Sequence, residues 1–199
     1  MNIMEKATIQ RFHRERLGQL PHQELAYQTE DGQRIRFEQL CKWGNFDGLS
    51  VMDLGCGYGD FRAYLESRFD RVTYLGVDLL DDFITGAERK YGHLPRTHFI
   101  QADFSQVTLP EVDVIVMSGS LNYRNSTSDY PWSLLSSLWK NARLGMAFNL
   151  LNANSFDASP LLTGYCPDEA LQRCMQITPH CQRITDYLEH DFTMLIHRQ

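Results

Sequence analysis

The sequence contains no Cys-x-x-Cys pair, no His-Glu-x-x-His and no other spacing suited to a metal, although it carries five cysteines and seven histidines. An odd cysteine count does not suit a disulfide framework, so Cys41, Cys56, Cys166, Cys174 and Cys181 read as free thiols of a reducing compartment. Long hydrophobic runs are missing as well. The longest, around Val112–Met117, falls far short of the ~20 residues a bilayer span needs. The first sixteen residues, MNIMEKATIQRFHRER, lack the apolar core of a signal peptide. Positive charge is scarce: 19 Lys and Arg against 25 Asp and Glu leave a net charge of -6, the wrong sign for a chain living on a phosphate backbone. Repeats, low-complexity tracts and Pro/Gly/Ser-rich linkers are absent from the sequence too. These absences lead to the expectation of a cytoplasmic protein with neither nucleic acid nor membrane as partner.

What is present is ordinary globular composition, 43% hydrophobic and 22% charged over 199 residues, enough chain for one well-buried domain. Short β-rich runs alternate with helical patterns. Ser50–Leu54, Val72–Val77, Thr97–Gln101, Val112–Met117 and Met146–Leu151 read as strands. Between them, Asp60–Phe69, Leu80–Tyr91 and Trp132–Arg143 carry apolar residues at helical spacing, with Pro131 where a first turn tolerates it. This alternation predicts a parallel sheet covered by helices on both faces. The end breaks the rhythm: Cys181–Leu188 and Phe192–Arg198 are β-rich and separated by only Glu189–Asp191, too short for a helical crossover, so they should pair antiparallel. The predicted fold class is therefore α/β, a Rossmann-like doubly wound, mostly parallel seven-stranded sheet with an antiparallel C-terminal hairpin. Residues 1–48 form one or two helices, Gln33–Trp43 the clearer, and make an N-terminal helical cap on a single domain spanning 1–199, whose core is 49–199.

The chemical signal is concentrated in Asp53-Leu-Gly-Cys-Gly-Tyr-Gly59, which follows a buried strand and opens a helix. Gly55, Gly57 and Gly59 permit a tight turn and a close ligand approach. Asp78 ends the second strand 19 residues past Gly59, where doubly wound folds bind a ribose diol, and Asp103 follows the third strand. A dinucleotide loop would need glycine at position 60, where Asp60 stands instead. An acid at that helix start, with Asp53 before the loop, repels a diphosphate and suits a nucleoside with a cationic or zwitterionic tail.

These residues resemble the class I S-adenosylmethionine-dependent methyltransferases. The loop Asp53–Gly59, the strand end at Asp78, the step Ala102-Asp103-Phe104 and the strand Asp113–Met117 match that family's motifs in order, over roughly Leu49–Leu151. The resemblance implies S-adenosyl-L-methionine as cofactor, with S-adenosyl-L-homocysteine as product. It implies that Asp53, Gly55, Cys56 and Gly57 pack against the amino acid tail, that Asp78 takes the ribose hydroxyls and that Leu79 flanks the adenine. Asp103 would accept from the adenine amino group, the Phe104 N–H would donate to the ring, and Ser118 and Gly119 would form the floor near the sulfonium. A narrower resemblance, to small bacterial methyltransferases of undefined substrate, rests on Tyr27–Gln33, Arg36-Phe37, Ser118–Arg124, Phe148–Asn152 and the stretch DYLEHDFTMLIHR. It places Arg36 on the cofactor carboxylate from above, a solvated helix charge being the alternative.

No catalytic residue is legible. Asn122, Tyr123, Arg124 and His13 are candidates for a base, each read first as a structural or substrate-positioning residue, and His190 as a surface residue of the hairpin turn. The segment after the fourth strand holds no [DN]PP[YFW] motif and the chain no Pro-Cys dipeptide, which argues against amino-methylation of adenine or glutamine and against cytosine C5 as acceptor. The arginine-rich segment Arg11–Arg16 and the aromatic cap residues Phe12, Tyr27, Phe37 and Trp43 read as a solvated face and as core. The expectation is transfer of a methyl group to an O or N atom of a small molecule. The alternatives are a cofactor-binding module without chemistry and, more remotely, a nicotinamide-dependent oxidoreductase.

Overall fold

A computed structural model describes residues 1–157 and 159–199. Five strands come first, β1 Ser50–Leu54, β2 Thr73–Asp78, β3 Thr97–Gln101, β4 Val112–Ser118 and β5 Ala142–Leu151, with a helix in each connection but that from β3 to β4. Two more, β6 Cys181–Ile184 and β7 Asp191–His197, complete a seven-stranded sheet of order β3-β2-β1-β4-β5-β7-β6. β1 to β5 run parallel, β7 pairs antiparallel with both β5 and β6, and the order reverses direction beside β1, the place where such sheets bind ligands.

Alternation along the strands divides the core in two. Met52, Leu54, Ile115, Met117, Phe148 and Leu150 face one side, against α6 Tyr130–Leu138 and α7 Pro167–Met175. Val51, Val114, Val116 and Ala147 face the other, against α3 Glu30–Cys41, α4 Asp60–Glu66 and α5 Asp81–Tyr91. Both faces are therefore buried, which is why the central strands read as continuous apolar runs.

Several boundaries differ from the sequence expectation, each for a local reason. β6 stops at Ile184 instead of Leu188, because Asp186 adopts a left-handed backbone (φ 65°) that a strand cannot continue through. The helix beginning at Tyr130 ends at Leu138; Trp139–Asn141 form a 3₁₀ turn, and β5 begins at Ala142 because Val112 of β4 extends the pairing that far. The cap holds three helices: α1 Ile3–Arg14, α2 Pro21–Glu24 and α3. α1 starts on a capping box in which the Asn2 side chain accepts from the Glu5 N–H and the Glu5 carboxylate accepts from the Asn2 N–H. α7 has no counterpart in the sequence expectation, although Ala170 and Cys174, with Leu171 beside them, set one face of it on the core. Among the described residues no helix is long and apolar enough to cross a membrane.

Candidate active site

At the carboxyl ends of β1, β2 and β4, under the cap, lies a cavity of about 490 Å³, within the size range of small-molecule sites. All the residues assigned to the cofactor from sequence border it: Asp53, Gly55, Cys56, Gly57, Asp78, Leu79, Asp103, Phe104, Ser118, Gly119 and Arg36. The loop after β1 turns through left-handed backbone at Gly55 (φ 83°) and Gly57 (φ 54°). A Cβ on Gly55 would stand 2.4 Å from Cβ of Ser120, so the loop can sit on the segment after β4 only without a side chain there.

Asp78 is buried at the end of β2. One carboxylate oxygen accepts from the Leu80 N–H and the other from the Gly57 N–H, both at 2.9 Å. Each oxygen keeps lone-pair capacity for a further donor, and the carboxylate borders the cavity. Burial pushes its pKa up, against the pull of these N–H groups. Asp53 is buried too and accepts from the Tyr74 hydroxyl at 2.6 Å. Burial, with Asp78 and Asp60 nearby, pushes its carboxyl up to about 7. Burial and the same acids hold the Cys56 thiol well above its ordinary range, so it is inert and its Sγ–H donates to the Gly57 carbonyl.

Asp60 behaves differently from the sequence argument. Its carboxylate accepts from the Tyr91 hydroxyl at 3.0 Å and lies 3.5 Å from the Lys90 ammonium, and it does not border the cavity, whose acids are Asp53, Asp78, Asp103, Glu189 and Asp191. Asp103 is engaged by protein on both oxygens, by Lys6 of α1 on one and by the Ser105 N–H (3.0 Å) and hydroxyl (2.7 Å) on the other. Burial opposes ionisation, but Lys6 and Ser105 outweigh it and hold the carboxyl below its usual range.

Arg36 is not a solvated helix charge. Its guanidinium donates through Nε (3.1 Å) and Nη2 (2.8 Å) to Asp191 at the start of β7, and it lies over the Tyr27 ring. Burial works against the charge, and the Asp191 carboxylate outweighs it. Beneath, a buried polar chain crosses three strands. Tyr27 Oη shares a hydrogen bond with Ser118 Oγ, Ser118 donates to Asn149, and Asn149 donates to Thr193, whose hydroxyl meets that of Tyr187.

The candidate bases separate clearly. Asn122 accepts from the Leu151 N–H and is structural, and Arg124 is exposed and donates to the Ser159 carbonyl. His13 and Tyr123 come together: the imidazole is buried, with Nδ1 2.7 Å from the Glu24 carbonyl and Nε2 2.5 Å from the Tyr123 hydroxyl, and both side chains border the cavity. His190 is half-buried against Phe156 and borders the cavity, contrary to its reading as a surface residue. Lys6 and Asp191 carry no local signature, since their partners lie far away in the sequence, and neither was foreseen.

Among known proteins, the methyltransferase-domain family matches residues 51–138. A Mycobacterium tuberculosis protein that carries a methyltransferase name is 29% identical over 161 residues, which is 76% of this chain and 95% of that one. The trans-aconitate 2-methyltransferase of Deinococcus radiodurans is 33% identical over 95 residues, 48% of this chain and 34% of that enzyme. Among solved structures, magnesium protoporphyrin IX methyltransferase from Synechocystis with bound S-adenosylhomocysteine superimposes with a TM-score of 0.72 at 14% identity, covering 98% of this chain and all of that one; that likeness is one of fold.

Proposed function

Since this chain is a class I S-adenosylmethionine-dependent methyltransferase, we propose that it transfers the methyl group to an O or N atom of a small molecule held in the cavity under the cap. The cavity fits the cofactor on the chain's own chemistry. Asp78 presents a carboxylate with spare acceptor capacity, as a vicinal ribose diol requires. Asp53 gains from a nearby ammonium, which relieves the cost of its buried charge. Of the described residues, the Lys and Arg side chains that border the cavity are Lys6 and Arg36, and each is already paired with a carboxylate. A diphosphate would meet acids and, among the described residues, no unpaired Lys or Arg side chain, which disfavours a nicotinamide dinucleotide.

When bound, S-adenosylmethionine supplies an electrophilic sulfonium methyl. The chain's part is to fix the acceptor in line and keep water out. Ser118 is held by Tyr27 and Asn149, so the floor beside Gly119 is preset, and the Arg36–Asp191 pair borders the same cavity with its two charges neutralising each other and the guanidinium over the Tyr27 ring. A small acceptor suits the cavity volume, the cover formed by the cap helices and the net charge of -6. The observation that carries the reading is Asp78, anchored by the loop and open to the cavity. Titration calorimetry tests it: S-adenosylhomocysteine should bind and NAD should not. Micromolar NAD affinity without response to S-adenosylhomocysteine would overturn it.

A further inference from the structure

We propose that Tyr123 and His13 form a proton relay that serves as general base for a hydroxyl acceptor, Tyr123 touching the acceptor and His13 acting through it. This rests on the methyltransferase reading above and narrows the acceptor to a group that must lose a proton during transfer, an alcohol or a phenol.

The arrangement fixes the direction of proton flow. The Glu24 carbonyl can only accept, so His13 Nδ1, 2.7 Å away, carries the proton. In the neutral ring Nε2 is then a lone pair, and the Tyr123 hydroxyl, 2.5 Å away, donates to it. The tyrosine oxygen retains acceptor capacity, and its side chain borders the cavity on the segment that follows the floor residues Ser118 and Gly119. Burial keeps the imidazole pKa below its ordinary value, with Arg16 adding to that effect, so the ring is neutral and able to accept at physiological pH. The surroundings agree. From α5 the ring meets Phe83, which is uncharged. The Glu24 carboxylate is held by the Gly18 N–H and the Tyr58 hydroxyl. Asp78 and Tyr27 lie near Tyr123, whose hydroxyl burial holds well above the usual phenol range, so it passes a proton on without resting as a phenolate.

The step balances. As the acceptor oxygen forms its bond to the methyl carbon and the carbon–sulfur bond breaks, the acceptor's O–H proton passes to the Tyr123 oxygen. The Tyr123 proton passes to His13 Nε2. The positive charge lost from sulfur arrives on the imidazolium, and solvent removes that proton after the product leaves. A carboxylate acceptor, already ionised, would have no use for the pair.

The test uses the full chain and its His13→Gln and Tyr123→Phe variants. Calorimetry with S-adenosylhomocysteine comes first, and affinity within about threefold of wild type is expected in both variants. If the wild-type chain fails to bind, the methyltransferase reading fails, not the relay alone. Nitrogen-15 NMR of the complex should show His13 protonated at Nδ1 only at pH 7, with the Nε2 signal shifted by Tyr123→Phe. A proton on Nε2 at pH 7, or a signal indifferent to that substitution, overturns the relay. Methyl-labelled S-adenosylmethionine is then offered with a panel of alcohols, phenols and carboxylic acids. Label is expected in hydroxyl compounds, about 100-fold less in either variant at pH 7, and for phenols recovering as pH approaches the phenol's own pKa, a recovery that a structural role would not produce. Label confined to carboxylic acids, no hydroxyl compound labelled, or variants as fast as wild type each overturn it.

Discussion

Two buried acids at the loop, Asp78 and Asp53, have different roles, and two substitutions separate them. Asp78 supports the loop and, under the proposed function, the ribose at once, because its two oxygens are fixed by the N–H groups of Gly57 and Leu80. Asp78→Ala should weaken S-adenosylhomocysteine binding by roughly 2–4 kcal/mol, since hydrogen bonds to a charged group contribute about 1.5–3 each. Calorimetry on a variant shown to be folded by circular dichroism measures this, and wild-type affinity would dismiss the ribose assignment. Asp53, like Asp78, resists ionisation. Its folded pKa of about 7 stands above the ordinary 3.8, so the native state binds the proton more tightly than the unfolded chain. The associated stability is complete below pH 4 and is lost as pH climbs through 7. Asp53→Asn keeps an acceptor for Tyr74 and removes the ionisation. Relative to wild type the variant should therefore gain stability between pH 4 and 8, by an amount of the order of a few kcal/mol. Urea unfolding across that range gives the answer, and parallel pH profiles would count against it.

At the scale of elements, α4 is tied to the sheet by a fully buried arginine. Arg62 donates from Nε to the Thr97 hydroxyl at 2.7 Å and pairs with Glu66, whose carboxylate reaches solvent. Arg62→Ala should cost roughly 3 kcal/mol through the emptied volume and the lost bonds. Glu66→Gln should cost no more than about 1 kcal/mol, because an exposed partner is screened. Chemical denaturation of the two variants compares them, and equal losses would contradict the assignment. The strands and the loop were legible from sequence because their causes are local: apolar runs buried on both faces, and glycines where the backbone turns left-handed. The residues of the loop and the three strand ends follow from the same motifs, and the structure brings them to one cavity. Arg62 shows why other features were not legible. Its partners, Thr97 and Pro95, lie 35 and 33 residues away, and nothing in the run Asp60–Glu66 distinguishes a buried arginine from a solvated one. The same holds for Lys6 on Asp103 and for the imidazole of His13 on Tyr123, 110 residues apart.

Across the whole molecule the cap is tied to the sheet where Arg36 and Asp191, separated by 155 positions, neutralise each other in a nearly dry setting. Arg36→Met should cost about 3–5 kcal/mol, since it strands a buried carboxylate. Adding Asp191→Leu should recover most of that loss, giving a coupling energy of about 2 kcal/mol or more in a double-mutant cycle. Additive losses would mean that the two side chains act separately. β7 itself lies between β5 and β6 although it follows both in the chain. During synthesis the sheet is therefore open at an interior position while β6 already exists without a neighbour. At roughly 5–20 residues per second, Arg36 waits about 8–30 seconds on the ribosome before Asp191 has been made. Throughout that interval the cap has its cation but not the carboxylate that holds it, and the edge of β5 that pairs with β7 lies open. The nascent chain is most exposed to misassociation just before its antiparallel strand arrives, and a chaperone with access to it would find its window there.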